Sequence, residues 1–182
     1  MDLTQLDQTS TLVTMVAFGH TAIGALIGAY TYQYLGDANP AYGLLVAGSA
    51  GLISHYLFDS IPHGHFFRED QYQKKVGLVI VFDLAFSVII YLLTAFTFSQ
   101  ANWLYVLYIL YGIGGSQLPD ILDGLIYTKR LPKTGILKWE FQFHNETHWH
   151  GKHQKALLWS IWDTWQVLLF FFGLYVLLTN YS

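Results

Sequence analysis

SHYLFDSIPHGH, residues 54–65, is where an apolar run meets a histidine, an aspartate, a proline and two further histidines. His55 and Asp59 stand four residues apart, so a helix places both on one face, close enough to share a single ion. Pro62 has no N–H and its ring crowds the preceding turn, which ends that helix. His63 and His65 then fall on the exit loop, from which His63 can fold back toward the same point, with His65 left to solvent. A bland reading competes with this one: a helix end dressed with polar residues at a membrane surface. The surrounding sequence decides between them.

Hydrophobic residues make up 53% of the 182 and charged residues 12%, with a mean hydropathy of +0.35. That balance predicts an all-α, polytopic integral membrane protein, one transmembrane helical domain over 1–182. The net charge of -3 is small and says little about partners, while the lack of a basic stripe argues against nucleic acid. Cysteine is absent, so disulfides, thiolate metal ligands and a cysteine nucleophile are excluded. Any metal must be held by nitrogen and oxygen.

Apolar runs over Leu12–Tyr34, Ala41–Ser60, Val76–Phe98, Trp103–Leu118 and Ala156–Leu178 approach the roughly twenty residues that span a bilayer. The first is too long for a signal-peptide core and is expected to be a retained span. In the fourth, clustered glycines and Pro119 predict a break or kink before a short helical turn, Asp120 to Tyr127. Small residues crowd the first two runs (Gly24, Gly28; Gly43, Gly48, Gly51), which predicts that those helices pack on each other. All 9 basic residues lie in the loops 61–75 and 127–155. By the positive-inside rule those loops and the N-terminus face the cytoplasm, which for a bacterial cell means the inner membrane. Tyr32, Tyr34, Tyr42, Trp103 and Tyr105 would form the outer aromatic belt, and Trp139, Trp149, Trp159 and Trp162 the inner one.

The loop 127–155 is long for a connection, so it is expected to be either disordered or a functional interfacial segment. Within it, residues 136–150 (ILKWEFQFHNETHWH) alternate apolar and polar, the period of an extended chain. A short helix is the other reading, because His144 and His148 are also four apart. Either geometry sets those two histidines on one face.

With this orientation every ionisable residue inside a span falls in the cytoplasmic half: His20, His55, Asp59, Asp83, Asp120, Asp123 and Asp163. An unpaired charge in a span costs about 2.5–3.5 kcal/mol on insertion scales, and no lysine or arginine lies inside any span. The counter-charge is therefore expected to be a bound cation. The candidate ligands are His20, His55, Asp59, His63, Asp120, Asp123, His144 and His148. Each also has an ordinary reading: His20 as a packing residue, Asp120 and Asp123 as acidic partners of a helix start, His144 and His148 as headgroup-facing loop residues. Asp83 and Asp123 are the candidate catalytic bases, and Asp83 and Asp163 also suit the role of holding an imidazole by its other N–H. His150 and His153 are read as solvent-facing.

Imidazole and carboxylate ligands without thiolate suit zinc first, with manganese or iron as alternatives, and their number allows one or two ions. Hydrolysis needs least beyond such a centre. At these residues the chain resembles the membrane-bound metal-dependent hydrolases of the YdjM type and uncharacterised relatives carrying SHxxxDxxPH. The shared elements are His20 in GHTAIG, His55 and Asp59 in SHYLFD, Asp120 and Asp123 in LPDILD, and a late histidine pair, His144 and His148 in FHNETH. The resemblance implies a metal-dependent hydrolase. The expected substrate is an ester or phosphoester of a lipid or lipid-linked molecule at the cytoplasmic interface, with membrane lipids as partners, Lys129, Arg130 and Lys133 attracting anionic headgroups, and self-association left open. The rivals are a cation or proton transporter using the same residues, and a non-catalytic protein with a structural metal.

Overall fold

A computed structural model describes residues 17–36, 38–61, 84–97, 102–127, 129–147 and 156–179, with side chains for all of these but 17, 127, 145 and 156–164. The described residues form helices and no strand. These are α1 (Ala17–Leu35), α2 (Pro40–Asp59), α3 (Leu84–Thr97), α4 (Trp103–Tyr127), α5 (Gly135–Thr147) and α6 (Ala156–Thr179).

Local signals account for the ends of α2. The Asn39 side chain accepts from the Tyr42 backbone N–H at 3.2 Å and Pro40 occupies the first turn, where a missing N–H costs nothing. At the other end the helix stops at Asp59, as Pro62 requires. The start of α4 is capped the same way, Asn102 accepting from the Tyr105 N–H at 3.2 Å. Asn102 also donates to the Tyr32 hydroxyl at 2.6 Å, and the Tyr108 hydroxyl donates to the Pro40 carbonyl at 3.3 Å. These contacts tie the end of α1 to the starts of α2 and α4. The opposite end of the bundle therefore gathers the start of α1, the end of α2 and the end of α4, where His20, His55, Asp59, Asp120 and Asp123 lie.

α1 and α2 pack on each other, as expected, but their glycines meet α4 most closely. A Cβ at Gly112 would meet the Gly24 carbonyl of α1, and one at Gly115 would meet the Gly48 carbonyl of α2. The glycine cluster that reads as a break is thus the seam on which three backbones meet. The break expected before Asp120 does not occur, since α4 runs unbroken through Pro119 to Tyr127. The proline removes one bond of the ladder, to the carbonyl of Gly115, and packing on both flanks holds the rest.

On the far side of α1, Phe18 packs edge-on against Phe170 of α6 (5.2 Å between centroids), Tyr91 of α3 donates to the Phe170 carbonyl at 2.7 Å, and Thr21 meets Ser87 at 2.9 Å. Among the described helices α2 is long and apolar enough to cross a membrane, while the apolar stretches Leu84–Thr97 and Trp165–Thr179 are shorter. Tyr30, Tyr32, Gln33 and Tyr34 in α1, and Gln117, Asp120 and Asp123 in α4, dilute the hydropathy of helices that are otherwise comparable in length.

Candidate metal centre

Asp59 is fully buried at the last position of α2, and three imidazoles from three other turns or helices converge on it. His20 Nε2 lies 3.0 Å from its Oδ1; His55 Nε2 and His144 Nε2 lie 3.0 and 2.8 Å from its Oδ2. The rings of His20 and His55 stack at 4.1 Å, so α1 and α2 present their histidines side by side. His55 reaches Asp59 because the two are one turn apart on α2, as the sequence spacing requires.

The outer nitrogens determine what the inner ones offer. His55 Nδ1 lies 2.7 Å from the Ser116 carbonyl oxygen, which can only accept, so Nδ1 carries the hydrogen and Nε2 of the neutral ring is a lone pair. His144 Nδ1 lies 2.9 Å from Asp123 Oδ2, again an acceptor, which orients that ring the same way. His55 Nε2 and His144 Nε2 then face each other at 3.0 Å, with Asp59 Oδ2 close to both. Three lone-pair atoms so placed repel unless something positive sits among them, either one proton or a metal ion.

A fourth candidate ligand atom lies a little farther from the two imidazoles. Asp120 Oδ1 stands 3.9 Å from His55 Nε2 and 3.8 Å from His144 Nε2. The distances from His55 Nε2 and His144 Nε2 to each other and to the two carboxylate oxygens, from 2.8 to 3.9 Å, bracket the edge of about 3.3 Å that a tetrahedron with bonds of about 2.0–2.1 Å would have. His20, His55 and Asp59 form one group of metal-ligating side chains whose donor atoms lie within 4.8 Å of one another; His55, Asp120 and His144 form another. Buried His/Asp groups that can hold a metal ion are therefore present, as the sequence predicts.

Burial works against charge on His144, but the carboxylates of Asp123, Asp59 and Asp120 outweigh it and raise its pKa to about 10. In the metal-free cluster the positive charge among the lone pairs is a proton held on His144.

Of the expected residues, His20, His55, Asp59, Asp120, Asp123 and His144 come together. His20 is a partner of Asp59 rather than an isolated packing residue. Asp123 holds His144 by its Nδ1–H, which is the task sequence reasoning had offered to Asp83 and Asp163. His63, Asp83 and His148 lie outside the described residues, as do His65, His150 and His153; α6 includes Asp163, whose side chain is not described. Residues 135–147 are helical, so the alternation of apolar and polar residues there does not mark an extended chain. Its apolar Trp139 and Phe143 are four apart and stack at 5.4 Å on the outer face, while Glu140 and His144, also four apart, point inward. Sequence reasoning missed Glu140, whose carboxylate accepts from Tyr56 at 3.1 Å. Its distance of one turn from His144 was the available signal. Burial pushes its carboxyl up, and the negative charge of Asp123 adds to that.

The chain matches no family model, no curated protein and no solved structure. Its class is set by its own atoms: an all-α protein with a buried histidine–aspartate cluster at one end of the bundle.

Proposed function

We propose that the protein is an integral membrane, zinc-dependent hydrolase that cleaves an ester or phosphoester of a lipid or lipid-linked substrate at the cytoplasmic interface. The observation that carries the reading is the pair of imidazole Nε2 atoms, each locked by an acceptor at its Nδ1, facing each other and the carboxylates of Asp59 and Asp120. Buried polar groups of this kind fit a cation, and the lack of cysteine leaves a nitrogen and oxygen donor set suited to zinc. Zinc there would lower the pKa of a bound water to about 7 and supply hydroxide at neutral pH. Asp120 and Asp123, at 13% and 12% side-chain exposure against 0% for Asp59, are the more open carboxylates of the cluster, so substrate would enter from the side of α4.

The membrane reading draws on an inverted distribution of side chains. His20, His55, Asp59, Gln117 and Gln166 are buried, whereas Leu45, Ile53, Leu57, Leu93, Leu168 and Phe171 are each more than half exposed. In water that arrangement would leave large apolar patches uncovered; in lipid it is the expected one. α5 extends the argument to the interface. Trp139 stands 62% exposed on the outer face of α5 and Ile136 79% exposed in its first turn, with Lys133 and Lys138 close in the chain to meet anionic headgroups. A cation pathway is the weaker reading, because the polar chain Gln117–Thr21–Ser87 is succeeded by Ala25, Ala29, Ile109 and Tyr105 in the core.

The test is metal analysis of detergent-purified protein with a vesicle hydrolysis assay. Wild type should carry about one zinc per chain, and Asp59→Asn should lose metal and hydrolysis together. Full zinc occupancy in Asp59→Asn refutes the centre. Zinc that leaves with Asp59 but supports no cleavage of phospholipid or lipid-linked phosphate refutes the hydrolase.

A further inference from the structure

One turn before His144 on α5, Glu140 faces Asp123 of α4. Oxygens of the two carboxylates and a ring nitrogen of His144 lie within 4.8 Å of one another. Each carboxylate has one oxygen engaged: Glu140 Oε1 accepts from the Tyr56 hydroxyl at 3.1 Å, and Asp123 Oδ2 from His144 Nδ1 at 2.9 Å. The other oxygens, Glu140 Oε2 and Asp123 Oδ1, are buried and have no hydrogen-bond partner among the described residues, and Asp123 as a whole is 8% exposed. Native proteins rarely bury a carboxylate oxygen without a donor, and here two like-charged ones share a small space. Tyr56 and His144 spend their hydrogens on Glu140 Oε1 and Asp123 Oδ2.

We propose that Asp123 and Glu140 hold a second, weaker divalent cation of the magnesium or manganese kind beside the histidine centre, whose shell a phosphate group of the substrate completes. The inference rests on the hydrolase reading and narrows it to phosphoesters. Hard cations prefer oxygen, and His144 has no nitrogen to spare once Nδ1 is bonded to Asp123 and Nε2 faces Asp59. Magnesium is typically bound by one or two carboxylates with water and substrate phosphate filling the remainder. With bonds of about 2.0–2.1 Å, two oxygens on one such ion stand at most about 4.2 Å apart, which the 4.8 Å group can meet. Asp123 would then link the two positions, one oxygen orienting a ligand of the first ion and the other binding the second.

The experiment uses protein loaded with zinc and titrated with manganese(II), the free ion being read by its electron paramagnetic resonance signal, with and without inorganic phosphate. Wild type is expected to bind one manganese at least tenfold more weakly than zinc, with phosphate tightening it severalfold. Glu140→Gln should weaken manganese at least tenfold while zinc content and the near-ultraviolet dichroism of the folded protein stay unchanged. Absence of manganese binding by zinc-loaded wild type, or equal binding by wild type and Glu140→Gln, overturns the proposal; binding indifferent to phosphate overturns its phosphoester clause. The histidine centre is read separately, by zinc loss in Asp59→Asn, so the failure of one is not mistaken for the failure of the other.

Discussion

Metal binding should release one proton per ion, and the cluster's geometry sets that number. His55 Nε2 and His144 Nε2 are 3.0 Å apart, which admits a single hydrogen between them. His55 must keep its hydrogen on Nδ1 for Ser116, so the shared proton belongs to His144, whose pKa of about 10 keeps it bound throughout the neutral range. A metal ion entering between the lone pairs displaces it. Below about pH 10 the apparent Kd for zinc should therefore tighten tenfold per pH unit, about 1.4 kcal/mol each. From pH 6.5 to 8.5 the change is about a hundredfold. Competition with a chromophoric chelator at three pH values gives the slope, and calorimetry in two buffers of different protonation enthalpy counts the proton directly. The stability of metal-free protein runs the other way. The raised His144 pKa contributes stability that is complete below the ordinary imidazole value of 6.5 and is lost as pH climbs through about 10. Metal-free protein should melt progressively lower from pH 7 to 10, and zinc-loaded protein should not share that trend. A Kd flat across this range would mean that no proton occupies the site, and a hundredfold change per unit would mean two; either result refutes the assignment of lone pairs.

Replacing Asp123 with asparagine removes the carboxylate that orients His144 and should weaken zinc about 10–100-fold without abolishing binding, read by the same competition titration. Two adjacent glycines of α4 should respond in opposite senses. Gly115→Ala drives a Cβ into the Gly48 carbonyl and should cost about 1–3 kcal/mol, whereas Gly114→Ala points into open space and should be neutral or stabilise by up to about 1 kcal/mol, both measured by thermal unfolding in detergent. Because the chain has no cysteine, Trp139→Cys supplies a unique site for a nitroxide. In anionic vesicles its collision rate with oxygen should exceed that with a water-soluble nickel chelate if the outer face of α5 rests in lipid, and the reverse ranking would remove α5 from the interface.

What could be read in advance was chemistry tied to fixed spacing. The four-residue interval from His55 to Asp59 transfers directly onto a helix, and Asp59 is the atom cluster on which the site is built. Likewise, the shared depth of His20, Asp120 and Asp123 follows from counting residues along antiparallel helices. What could not be read depended on which faces meet. The glycines before Pro119 carry the same letters whether they break a helix or let two others approach it, and only the positions of Gly24 and Gly48 distinguish the cases. Residues 136–143 satisfy both periods because Trp139 and Phe143 are an even number apart and also one helical turn apart, so periodicity is ambiguous there. Ser116 left no mark at all, since it acts through its backbone carbonyl, a group every residue possesses. That carbonyl matters as much as any ligand. Without an acceptor at 2.7 Å from Nδ1, His55 could place its hydrogen on Nε2 and simply donate to Asp59, and the cluster would be a set of buried ion pairs. By claiming the Nδ1 hydrogen, the backbone of α4 turns the inner face of His55 into a donor of electrons, and a bonded pair becomes a place for a cation.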